Sequence, residues 1–155
     1  VPTIEWFEGP RGELDLLFAL ADDAPAQVRI YRDLGRVLVA RDGPEPIGHL
    51  QLLGEPPGEM EVKSIAVREE RRGAGVGRML VERAVAVARQ EGVSTLVVST
   101  AAADTSAIRF YQRLGFRMLR VERDVFTREA GYPDIEIDGI PLRDRLWLSL
   151  STVGS

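Results

Sequence analysis

The sequence predicts an α/β (α+β) fold: a mixed, mostly antiparallel β-sheet with a central parallel strand–helix–strand unit and helices on both faces. Three observations predict it. Runs rich in β-branched residues alternate with segments of helical periodicity along the 155-residue chain. Residues 59–100 read strand, helix, strand, which implies a parallel crossover. Other strands meet at tight Gly/Pro turns, which makes hairpins and therefore antiparallel pairs.

The elements follow in order. "TIEWF" (3–7) is a first strand. "GELDLLFALA" (12–21) sets Leu14, Leu17, Phe18 and Ala21 on one helical face, and Asp22, Asp23 and Pro25 break it. "AQVRIYRDL" (26–34) is a second short helix ended by Gly35. "RVLVAR" (36–41) and "PIGHLQLLG" (46–54) pair as a hairpin about "DGPEP" (42–46). "GEPPG" (54–58) is another tight turn, leading into the strand "EMEVKSIAV" (59–67). From residue 76 to about 90, Val76, Met79, Leu80, Ala84, Val87 and Ala88 recur at helical spacing, opposite Arg78, Glu82 and Arg89. "STLVVST" (94–100) suits a central strand. A helix over 104–115, a strand over 116–126, a loop over 131–139 and a last strand over 143–150 complete the chain. Met60, Met79 and Met118 are expected in the core.

The length suits one domain over residues 1–155, able to bury roughly 70% of its unfolded surface. Apolar content of 45% and charged content of 28% are ordinary for a globular protein. No apolar run approaches about 20 residues, so no membrane partner is expected. No signal-peptide pattern is present. Cysteine is absent, which removes disulfides, thiolate zinc sites and cysteine nucleophiles and fits a cytoplasmic setting. A net charge of −4 argues against nucleic acid and suits a cationic small molecule. His49, the single histidine, sits in an apolar strand and reads as structural. No metal is expected without a His/Cys cluster.

The segment "RRGAGVGRML" (71–80) places three glycines where a helix begins. Helix N-termini leave N–H groups unpaired, and glycines let an anion approach them. Arg72 adds a forked cation. Gly77 is followed by Arg78 and Met79, which fails the Gly-Lys-Ser/Thr pattern of nucleoside triphosphatases. A third glycine at 78 or 80 is missing, which fails the dinucleotide pattern. Two readings remain on these residues alone: a phosphate cradle, or a turn that only packs strand against helix.

Two segments together resemble the GNAT superfamily of acyl-CoA-dependent N-acyltransferases. "EVKSIAVREERRGAGVG" (61–77) is similar to that family's central strand and pyrophosphate loop. "DTSAIRFYQRLGF" (104–116) is similar to its N-x-x-A-x-x-F-Y-x-x-x-G-F signature. The resemblance runs from about 46 to 116 and implies acetyl-CoA as acetyl donor. It implies that the amides of Arg72, Gly73, Ala74, Gly75, Val76 and Gly77, with Arg78, hold the pyrophosphate. It implies a pantetheine arm paired with the backbone of Ile65, Ala66 and Val67, where the sheet splays, and an oxyanion donor near Ile65 or Ala66. The family's Asn is Asp104 here, which can cap a helix but donates no amide hydrogen.

Tyr111 matches the tyrosine placed near the thioester sulfur, as general acid; read by itself it is an aromatic filling a helix–sheet gap. Glu61 matches a glutamate that serves some members as general base through water. Glu59 alternates onto the same strand face and competes with it, and either is also readable as a solvated strand-end charge. The expected acceptor is a primary amine on a small cationic molecule, an aminoglycoside-type antibiotic being one candidate. Asp22, Asp23, Tyr132, Asp134, Glu136 and Asp138 are its expected surroundings. A protein or peptide acetyltransferase and a coenzyme A-binding module without turnover are the alternatives, as monomer or homodimer.

Overall fold

The computed structural model describes residues 1–54 and 58–153. Seven strands form one sheet: β1 (Thr3–Trp6), β2 (Arg36–Arg41), β3 (Pro46–Leu53), β4 (Glu59–Val67), β5 (Thr95–Ala101), β6 (Arg117–Glu122) and β9 (Arg145–Ser151). Their spatial order is β1-β2-β3-β4-β5-β9-β6. Among the described residues, β4 and β5 alone pair in parallel; the other neighbours are antiparallel. The α/β class, the mostly antiparallel sheet and the parallel unit all follow the sequence reading.

Alternation along the strands sorts side chains to two faces. Leu38, Leu50, Leu52, Met60, Leu96 and Leu148 go to a core under α3 (Val76–Gln90), with α4 (Thr105–Arg113) packed alongside. Val37 and Val39 go to the opposite face, against Leu17, Phe18 and Tyr31 of α1 (Asp15–Ala21) and α2 (Pro25–Tyr31). Buried Gln51 faces that second side and donates to the carbonyls of Tyr31 (2.7 Å) and Leu34 (2.9 Å). It thereby satisfies carbonyls at the end of α2 that a helix leaves unpaired.

His49 is fully buried on the same face, its ring 4.5 Å from that of Phe18 and its Nε2 2.8 Å from Ser64 Oγ. Burial pushes its pKa down to about 3, so the ring is neutral in the fold. An unfolded histidine titrates near 6.5, so below that pH the unfolded chain takes the proton first. The stability from the neutral ring is present above pH ~6.5 and is lost as pH falls toward the folded value. We expect the melting temperature to fall between pH 7 and 5, and His49→Gln to flatten that slope. Equal slopes in thermal unfolding would show that His49 is not its source.

Several boundaries differ from expectation. The first helix opens as a 3-10 turn (Arg11–Leu14) before α1, and Ala21 is exposed. α2 starts one residue earlier, because proline fits a helix's first position. β6 ends at Glu122, and Asp124 turns the chain at φ 59°. The expected loop over 131–139 contributes to a small hairpin, β7 (Glu136–Ile137) with β8 (Ile140–Pro141), turned by Asp138 (φ 50°) and Gly139 (φ 81°). Met60 is buried, but Met118 is 59% exposed, which corrects its core assignment: β6 is an edge strand, and Leu119 and Val121 are exposed with it. The turn read over 54–58 lies partly outside the described residues.

Two irregularities of β4 shape everything that follows. β4 pairs with β5 only from Glu59↔Thr95 to Val62↔Val98, after which the strands part. On its other side β4 carries a bulge: Leu52 pairs with Val62 and Gln51 with Ser64, leaving Lys63 as the extra residue.

Candidate active site

Two cavities open where β4 and β5 part. The larger, about 550 Å³, is bounded by the end of β4 and the start of α3. The residues expected to hold the donor gather there: Ile65, Ala66, Val67, Arg72, Gly73, Gly75, Val76, Gly77, Arg78 and Asp104 line it. Ala74 is exposed and does not.

The glycine segment has a distinct geometry. Gly73 (φ 82°) and Gly75 (φ 86°) are left-handed, and Gly75 is the N-cap residue of α3. A Cβ at either would meet nothing within 4 Å, so backbone conformation rather than crowding favours glycine there. Gly77 differs: its φ is ordinary, but a Cβ would lie 3.3 Å from the Phe110 ring of α4. Among the described residues, the N–H groups of Gly73, Gly75, Val76, Gly77 and Arg78 have no protein acceptor, whereas that of Met79 bonds Gly75 O at 3.0 Å. A row of free donors at a helix N-terminus is a site for a phosphate-type anion. Arg72 is fixed beside it by Nε donating to Val67 O at 3.2 Å.

The second cavity, about 290 Å³, lies on the α1–α2 side of the gap. Asp22, Asp23, Tyr31, Lys63, Tyr132 and Arg145 contribute to its walls. Asp22 is held in place: Oδ1 accepts from Ala24 N at 3.0 Å and Oδ2 from the Tyr31 hydroxyl at 2.7 Å. Burial, with Asp22 nearby, pushes the Tyr132 phenol up to about 12. Asp134, Glu136 and Asp138, expected around the acceptor, lie outside this cavity, and Asp134 pairs with Arg128 at 3.0 Å.

Ile65, Asp104 and Tyr111 line both cavities. Tyr111 is 5% exposed, and its ring packs edge-on against Phe110 and Phe116. Burial pushes its phenol well above the ordinary tyrosine range, and the charge of Asp104 adds to this. Asp104 caps α4 by accepting from Ala107 N at 3.0 Å, the role its side chain allows.

Glu61 lines neither of the cavities that Tyr111 lines. It lines a separate depression of about 210 Å³ with Glu59, Arg120 and Trp147. Burial raises its pKa, while Lys63 and Arg145 pull it back. Reading by motif missed Lys63 and Arg145. Lys63 is the sole lysine of the chain, a signal that was available; Arg145 carries no local pattern at all.

The arrangement thus sets a row of helix N-terminal donors and a second, more polar cavity on opposite sides of Tyr111. The model of the Acetyltransferase (GNAT) family matches residues 3–116, and the chain belongs to this family of N-acetyltransferases. The uncharacterised N-acetyltransferase YvbK of Bacillus subtilis strain 168 is 34% identical over 149 residues, 95% of this chain and 96% of that protein. Among solved structures, the IAA acetyltransferase from Bacillus cereus ATCC 14579 is 34% identical at a TM-score of 0.86, covering 97% of this chain and 99% of that one. A GNAT family acetyltransferase from Elizabethkingia anophelis with acetyl-CoA bound is 27% identical at a TM-score of 0.86, covering 97% of each chain. Among the described residues, no helix is long and apolar enough to cross a membrane.

Proposed function

We propose that the protein transfers the acetyl group of acetyl-CoA directly to a primary amine of a small molecule. The observation that carries this reading is the position of Tyr111, which lines both cavities at the point where β4 leaves β5. The free N–H groups of Gly73 and of residues 75–78 fit a pyrophosphate, and the edge of β4 beyond Val62 that β5 leaves unpaired fits an extended amide-bearing arm. Acetyl-CoA supplies the acetyl group as a thioester. A second cavity of about 290 Å³ is near the lower end for ligand pockets, which supports a small acceptor. Asp22 and Asp23 in its wall, with Tyr31 and Tyr132, support binding of the acceptor's ammonium end.

In this reading Tyr111 holds its proton until sulfur needs it. The raised phenol pKa keeps it protonated throughout the neutral range, as a donor to a leaving thiolate must be. The amine has to lose a proton before it attacks. Glu61, its carboxyl raised by burial, is the proposed base; because it lines a neighbouring depression, it acts through water. Thiol release from acetyl-CoA across a panel of small primary amines tests the activity. Glu61→Gln is expected to lower kcat/KM by about 100-fold and to remove the acidic limb of its pH profile. An unchanged profile would remove Glu61 as the base.

A further inference from the structure

We propose that the acceptor carries a carboxylate beside its amine, and that Lys63 and Arg145 are the side chains that bind it. The inference rests on the acetyl-transfer reading above and narrows its acceptor to an amino-acid-like class.

Both cations stand in the wall of the acceptor cavity and reach it from different strands. Lys63 arrives there through the β4 bulge. Val62 packs into the α3-side core, Ser64 meets His49 on the other face, and Lys63 lies over Tyr31 of α2. Residues 63 and 64 therefore both face the acceptor side, which simple alternation forbids. On β9, Leu146 and Leu148 fill the α3-side core, so Arg145 between the gap and Trp147 faces the acceptor side as well.

Neither charge is fully neutralised within the fold. The Lys63 ammonium sits 4.7 Å from the centre of the Tyr31 ring, a contact that positions the charge without cancelling it. Among the described residues, no carboxylate lies within ion-pair distance of it. Arg145 reaches Glu122 only at 3.8 Å, and that same Glu122 oxygen accepts from the Trp147 indole. Arg145 Nε is buried with no partner. A buried N–H without an acceptor is costly, and a planar carboxylate matches a guanidinium fork. Glu61 feels both charges but lines the adjoining depression.

Among the described residues, the acidic groups of the cavity pair with neither cation: Asp22 is held by Ala24 and Tyr31, with acceptor capacity left on both oxygens for an ammonium end, and Asp104 caps α4. Asp23 is exposed at the rim. The chain also uses arginine for all its basic residues but one, so the lysine at this bulge departs from its habit. A point charge on a flexible stem beside a rigid fork is a pair suited to a small acid of variable reach.

The test pairs each common amino acid with its own carboxamide, which keeps the amine and removes the negative charge. Two readouts are taken: thiol release with acetyl-CoA, and calorimetric binding to protein saturated with coenzyme A. The expected result is an acid favoured over its carboxamide by about tenfold or more, with the preference collapsing toward parity in Lys63→Gln and Arg145→Gln. Carboxamides handled as well as acids in both readouts would overturn the proposal, and so would a preference that survives both variants. If no amine releases thiol but acids still bind in preference to carboxamides, the acetyl-transfer reading fails and the carboxylate site stands. If nothing binds or reacts, both fail.

Discussion

Tyr111→Phe is expected to lower kcat by about 100-fold while acetyl-CoA affinity changes by no more than about twofold. The split follows from where the residue stands. Its ring is buried between Phe110 and Phe116, and phenylalanine keeps that packing. The residue lines both cavities, at whose junction the proposed thiolate leaves. A loss confined to affinity would make Tyr111 part of the donor cradle, and unchanged turnover would leave it as a core aromatic. The rate on a good leaving group gives a further check: an activated thioester needs less help from an acid, so the variant's deficit should shrink with it.

Gly75→Glu is expected to weaken acetyl-CoA binding by about tenfold or more. Two effects act together. The position is left-handed, a conformation costing an L-residue about 1–2 kcal/mol. The new carboxylate also stands beside the free N–H groups that would otherwise receive a phosphate. Gly75→Ala separates the two, because it brings the strain without the charge. Since a Cβ there meets nothing within 4 Å, neither variant should disturb the core. Unchanged calorimetric affinity in a folded Gly75→Glu protein would refute the cradle.

The geometry of the glycine segment and of the start of α4 was legible from the sequence because its devices are local. Left-handed glycines, an N-cap aspartate and the spacing from Asp104 to Tyr111 are each written within a few residues. The second cavity was less so, because it is assembled across distance. Reading "EMEVKSIAV" by alternation gives no sign that Lys63 and Ser64 turn to one side; the slip is set by pairing with Gln51 and Leu52. Arg145 joins them only because β9 inserts between β5 and β6. The acidic residues 134, 136 and 138 show the converse: a suggestive composition near the site in sequence that the β7–β8 hairpin keeps out of the cavity. Met118 failed for a similar reason, since an apolar residue in a strand is buried only if something covers that strand.

The parting of β4 from β5 has a mechanical side. Among the described residues, backbone pairing joins the slab β1–β4 to the slab β5–β9–β6 through four residue pairs, with side-chain packing beneath α3 and around Ala24 on the other face adding to it. Such a seam opens at lower free energy than the slabs themselves unfold. A donor bound in the gap, as proposed, would tie the slabs together and raise their resistance to heat with its concentration. On the acetyl-transfer reading, the supply of acetyl-CoA would therefore set how often the seam opens.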